Sequence, residues 1–261
     1  MLSDIKASLD FYAAKYNEPA FIETDPISVP HRFSKRQDIE IMGLWTAVLA
    51  WGQRKTIIHK ANELVELMDG APHDFILHHS AEDRRRFLDF KHRTFQATDT
   101  LYFLEFLQHY YRSHDSLETA FAASLSPEDA TVEKALIGFH EHFFALPDAP
   151  SRTTKHIATP ARRSSCKRLN MFLRWMVRRD EKGVDFGLWT QILPRQLVIP
   201  LDVHVERIAR RMGLLTRPQT DWLAAMELTE NLKRFDPEDP VKYDFALFGI
   251  GVLEKANGAL L

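Results

Sequence analysis

Apolar side chains recur three and four residues apart through almost all of this 261-residue chain, and no stretch alternates apolar and polar residues long enough to build a sheet. That repeat commits the chain to helices, because a stripe of this period lines one face only when the backbone coils. The fold class expected is all-α. An apolar content of 45% is enough for one large helical domain or two smaller ones with real cores.

Taken in order, residues 2–16 carry a stripe of Ile5, Leu9, Phe11, Tyr12 and Ala13, and Pro19, Pro26 and Pro30 punctuate an extended connector. Ser34 and Gln37 predict a capping box for a helix over 36–51 that is apolar almost all round and therefore central to its domain. Gly52 to Lys55 form a polar, partly basic turn before a helix carrying Ile57, Ala61, Leu64, Val65 and Met68, which Gly70 and Pro72 close. An aromatic helix follows around Leu101 to Tyr110, then another over 131–144, with breaks at Ser126-Pro127 and at 147–151.

The single cysteine, Cys166, excludes an internal disulfide framework and any four-cysteine metal or iron–sulfur site within the chain. His140-Glu141-His142 stand two apart on a helix and share no face, so no metal is expected there. There is no signal-peptide core, spanning run, phosphate loop or dinucleotide fingerprint, which predicts a soluble, cytoplasmic protein without a small-molecule cofactor. Net charge is only −2, but 151–179 hold nine basic residues and no acidic one. On a near-neutral chain such a run is the electrostatic footprint of a phosphate-backbone binder.

That run leads into a helix where Leu169, Phe172, Leu173, Met176 and Val177 make the buried stripe, with Lys167, Arg174 and Arg178 on the opposite side. Lys167 falls in the first turn, where unpaired N–H groups and the positive dipole end disfavour an ammonium and help lower its pKa. Downstream, Asp202 stands at the N-cap of a helix lined by Val205, Ile208, Ala209 and Met212 and closed by Gly213. Each residue alone has an ordinary structural explanation.

Together they resemble a family. Pro200-Leu201-Asp202-Val203-His204, with the helix that follows, is similar to the motif of the helix-hairpin-helix DNA glycosylase superfamily, whose aspartate is the general catalytic carboxylate. Lys167-Arg168-Leu169-Asn170 resembles the segment opening the second helix of that hairpin, whose lysine is the nucleophile in bifunctional members. Leu49 to Gln53 is similar to the family's glutamine-bearing loop, and the likeness runs in matching order from about residue 36 to 255. The archaeal branch acting on oxidised guanine is nearest, because a long insertion separates its lysine and aspartate as 180–197 does here. More narrowly, the C-terminal half resembles an uncharacterised bacterial family of the same fold. The chain departs from the superfamily between Thr159 and Cys166, where no glycine stands in place of the usual Gly-x-Gly turn.

The resemblance implies two helical subdomains, 38–180 and 1–37 plus 181–261, with a cleft between them, and a monomer acting on duplex DNA that carries a damaged base. Asp202 and Lys167 would be catalytic. Gln53, Arg54, Lys55, Arg162, Arg163, Ser164, Ser165 and Arg168 would contact nucleic acid, and Trp51, Tyr243, Asp244 and Phe248 would line the base pocket. The expected activity is a DNA glycosylase with AP lyase chemistry, with oxidised guanine as substrate. The alternatives are an inactive nucleic-acid binder of the same fold and an all-α interaction protein.

Overall fold

The computed structural model describes the backbone of residues 2–257 and the side chains of 3–252. Met1 and 258–261, the ends of the expected terminal subdomain, lie outside the described residues. The helices in order are α1 (Leu2–Tyr16), α2 (Pro19–Thr24), α3 (Arg36–Leu49), α4 (Arg54–Leu67), α5 (Pro72–His78) and α6 (Ala97–Tyr111). There follow α7 (Glu118–Ala122), α8 (Glu133–Phe143), α9 (Lys167–Val177), α10 (Val203–Arg211), α11 (Trp222–Lys233) and α12 (Tyr243–Asn257). Among the described residues there is no strand, only two isolated bridges, His92 with Phe95 and Ser164 with Asp221. The chain is all-α, and no described helix is long and apolar enough to cross a membrane.

Two compact units form: Ile22–Leu125 with Ala135–Ala158, and Met1–Phe21 with Ser126–Lys134 and Thr159–Leu261. The hairpin segment and α9 thus group with both termini.

In the first of these units α3 is the central helix, as its all-round apolar surface requires, and every residue from Ile39 to Leu49 is buried. Trp45 lies 4.8 Å from the ring of Phe103 on α6, and Phe106 lies 4.3 Å from Phe143 on α8. The capping box expected at Ser34 does not form. The helix starts at Arg36 as expected, but its N-cap is Lys35, one residue after Ser34, and the Gln37 amide donates to the Asp115 carbonyl. At the end of α3 the chain reverses at Gly52 with φ +105, a conformation that only glycine adopts freely.

One polar residue inside this helix was not legible as buried. Glu40 is fully enclosed and accepts from Arg36 Nε (3.0 Å), Tyr111 Oη (2.9 Å), Ser116 Oγ (2.6 Å) and the Leu117 amide (3.0 Å). A buried carboxylate is tolerable only when its lone pairs are filled in this way. Glu40→Gln keeps the shape but sets an amide donor against donors, and should destabilise the protein by about 1–3 kcal/mol in urea titration.

In the unit of the termini, α1 packs on α12, and α12 on α10. Gly249 permits the first contact, since a Cβ there would stand 2.0 Å from the Tyr16 ring. Leu9 and Ala13 are buried as expected, but Phe11 is 62% exposed: two residues from Leu9 along a helix, it points to the far side. The segment after α9 folds back over its C-terminal end, where the amides of Phe186 and Trp189 donate to the carbonyls of Trp175 (2.8 Å) and Met176 (2.9 Å). Those are among the last carbonyls of the helix, which have no partner within it.

Candidate functional site around the starts of helices nine and ten

The approach to α9 is a tight turn built without glycine. Thr159 Oγ1 caps a single 3-10 turn over Pro160–Arg162, and the backbone then takes left-handed values at Arg163 (φ 60) and Cys166 (φ 51). A non-glycine residue there is strained, on the order of 1 kcal/mol each, and persists when neighbours over-determine it. The neighbours do so here: Ser164 bridges to Asp221, the Trp222 amide donates to the Arg163 carbonyl at 3.2 Å, and Arg217 grips Asp221 through two nitrogens. The geometry that glycine would confer locally comes from the start of α11.

Cys166 is the N-cap residue of α9, and burial pushes its thiol up to about 12, so it is no thiolate nucleophile. Lys167 is the first residue of α9, half-buried, and its ammonium forms no ion pair or hydrogen bond among the described residues. Asp202 is the N-cap of α10 as predicted, with Oδ1 accepting from the amides of His204 (2.8 Å) and Val205 (2.9 Å). Those two bonds fix the direction of the carboxylate.

What joins the two helix starts is Asp244, in the first turn of α12. Its carboxyl is 5% exposed; burial pushes it up to about 6, Arg174 and Lys167 pull it down, and the charge of Asp202 pushes it up further. Asp244 is held by Arg174 of α9, and α12 packs on α10 with Phe248 against His204, so α12 links the two helices that Lys167 and Asp202 begin. Because the folded value lies above the ordinary 3.8, the stability Asp244 contributes is complete below about pH 3.8 and is lost as pH rises through about 6. Stability measured against Asp244→Asn, which does not titrate, should shift in favour of the variant as pH rises from about 4 to about 7.

The face of α9 expected to be solvated is not. Arg174 and Arg178 are each 4% exposed. Arg174 donates to Asp244 and to Asp185 (3.2 Å), and Arg178 to Asp239 (2.8 Å), Asp180 (2.6 Å) and Asp185 (3.2 Å). Both guanidiniums lie over the Phe245 ring, at 4.5 and 5.6 Å from its centroid. Half of the α9 basic run is thus an internal ion-pair network holding 180–185 and the start of α12 to the helix. It offers nothing to a phosphate. The four carboxylates, at 180, 185, 239 and 244, outnumber the two arginines and all follow them in the chain.

Other residues of the basic run are accounted for differently. Arg162 and Arg163 are exposed, whereas Arg168 is half-buried, its guanidinium pushed down to about 10 by burial. Arg152 donates to Asp99, whose carboxyl burial would raise, but which His156, Thr153 and the Gln96 amide hold down at about 2. Ser164 Oγ accepts from the Cys166 amide (3.2 Å), and the Ser165 carbonyl accepts from Asn170 Nδ2 (3.1 Å). Tyr243 is buried, and its hydroxyl donates to Asp10 of α1 at 2.8 Å, which makes it a packing residue. Phe248 is half-buried against the His204 ring at 5.8 Å.

Gln53, Arg54, Lys55 and Trp51 belong to the other unit, at the turn between α3 and α4. Gln53 and Lys55 are exposed, Arg54 stands 3.6 Å from Asp25, and the half-buried Trp51 ring lies 5.8 Å from His156. Sequence reasoning missed Arg174 as a contributor to the site and Asn170 beside it. Both sit on the strip of α9 that begins at Lys167, recurring three and seven residues on.

Neither the curated proteins nor the solved structures contain a match to this chain. Residues 25–253 match the family described as protein of unknown function (DUF2400), a span that takes in every helix from α3 to α11 and both residues of the pair. The chain belongs to that family.

Proposed function

We propose that this protein is a DNA glycosylase with AP lyase activity that removes a damaged base, oxidised guanine first among the candidates, without metal or organic cofactor. The observation that supports the reading is that α12 links the helices begun by Lys167 and Asp202, through Asp244 on Arg174 and Phe248 on His204, with the lysine uncommitted and the aspartate aimed by two amides. Its chemistry follows from general acid–base and nucleophilic principles. The target nucleotide leaves the stack, and as its glycosidic bond lengthens the sugar acquires oxocarbenium character that the Asp202 carboxylate stabilises. The neutral Lys167 amine attacks C1′ and the base departs with the bonding electron pair and takes up a proton. Loss of a proton from nitrogen and opening of the sugar ring leave a C1′=N Schiff base, from which β-elimination expels the 3′ phosphate.

Exposed Arg162 and Arg163 on the turn before α9 are the cations best placed along the chain to meet phosphate, in place of the backbone amides a Gly-x-Gly turn would present. Incubation with an oxidised-guanine or abasic-site duplex and borohydride tests the reading, and a covalent protein–DNA adduct is the expected result. A salt-dependent mobility shift with no adduct would replace it with a catalytically silent binder. No shift even at low salt would leave an all-α interaction protein.

A further inference from the structure

Asn170 is 1% exposed, and its side chain is half satisfied. Nδ2 donates to the Ser165 carbonyl at 3.1 Å, but Oδ1 is buried without a hydrogen-bond partner. The amide cannot be reversed to cure this, because a carbonyl oxygen at Ser165 demands a donor. An acceptor buried without a partner from the protein costs about 1–3 kcal/mol, so a neighbouring donor that can reach it gains by doing so.

The α9 helix narrows the source of that donor. Side chains on a helix lean toward its N-terminus, and the tether to Ser165 confirms that Asn170 does so. Three residues back, and so on the same face, is Lys167, whose three N–H donors are uncommitted among the described residues. Four residues on, Arg174 is taken up by Asp185 and Asp244, and Cys166 Sγ is directed to the Ser164 carbonyl at 3.4 Å.

We infer that Asn170 is a positioning residue for Lys167: its Oδ1 accepts from the lysine nitrogen and draws it inward along the strip that faces Asp244. Ser165 serves this arrangement through its backbone, by locking the amide so that the oxygen has one direction. The consequence for the proposed glycosylase reaction, on which the role rests, is that the amine is aimed before substrate arrives.

The test reads Lys167 directly. In protein carrying 13Cε-lysine, the Lys167 resonance is the one missing from Lys167→Gln, and its titration midpoint is followed by NMR in parent, Asn170→Leu and Asn170→Asp. Both variants lose the tether to Ser165, but a carboxylate three residues on also attracts the ammonium through space, so the downward displacement in Asn170→Leu is what a merely structural role does not predict. The positioning role predicts opposite displacements, downward in Asn170→Leu and upward by about one pH unit or more in Asn170→Asp, where a carboxylate replaces the dipole. It further predicts that borohydride trapping by Asn170→Leu falls about tenfold or more even at pH values where its amine is neutral. Midpoints equal to the parent's, or displaced alike, overturn the inference. Should Asn170→Leu fail to fold, an unmoved midpoint in Asn170→Asp overturns it as well. Opposite displacements in a protein whose parent form traps no DNA support the contact and remove the glycosylase reading, so the two fail separately.

Discussion

Lys167→Gln should show no borohydride-trapped adduct with any duplex that the parent protein traps, while melting within a few degrees of it. The two halves of this result have separate causes. Glutamine has no nucleophilic nitrogen, so the covalent route closes altogether and does not merely slow. The fold is indifferent because Lys167 is half-buried, has no ion pair or hydrogen bond among the described residues, and is replaced by a residue of similar helix propensity. Removing a cation from the positive end of α9 relieves about 0.3–1 kcal/mol, or about 1–3 °C in a chain of this size. An adduct that persists in Lys167→Gln would move the nucleophile to another amine and leave Asp202 without its partner.

Arg178→Ala should be the most damaging single change in the unit of the termini. Its guanidinium is the common partner of Asp180, Asp185 and Asp239, and Asp185 is wholly buried within the network. Deleting it leaves Asp180 and Asp239 without their countercharge and the buried Asp185 with Arg174 alone, a situation that typically costs about 3–5 kcal/mol. At about 2–4 °C per kcal/mol the melting temperature should fall by roughly 10 °C. Arg179→Ala is the control. That neighbour is exposed, and its loss should stay within about 0.5 kcal/mol. Equal effects from the two substitutions would mean that the buried network contributes no more than a surface charge does. Because Asp185 also binds Arg174, the partner of Asp244, Arg178→Ala should further disturb the pair at Lys167 and Asp202, which the trapping assay would register as a lower rate in whatever fraction stays folded.

The contrast between α9 and α3 shows where sequence reasoning reached and where it stopped. Periodicity located both helices to within a residue or two, because a helix with one apolar stripe, or apolar all round, states its own burial. It could not see that Glu40 in α3 and Arg174 and Arg178 in α9 are interior as well. A charged side chain carries no local sign of being buried; it becomes so only when distant residues bring partners, neutral donors from Tyr111, Ser116 and Leu117 for Glu40, and the carboxylates of Asp185, Asp239 and Asp244 for the arginines. Phe11 is the converse, an aromatic counted into a stripe that its helical phase turns outward.

By itself the sequence determined the helices, their order, and the two starts at which Lys167 and Asp202 stand, because capping and periodicity are local properties of short stretches of chain. Only the tertiary structure decided that these starts share a surrounding. Their common reporter, Asp244, lies 42 residues beyond Asp202 and enters through the packing of α12 on α10. It also decided that a turn without glycine could still adopt left-handed backbone at Arg163 and Cys166. The strain is local, but the groups that hold it, Asp221 and Trp222, come from a different helix.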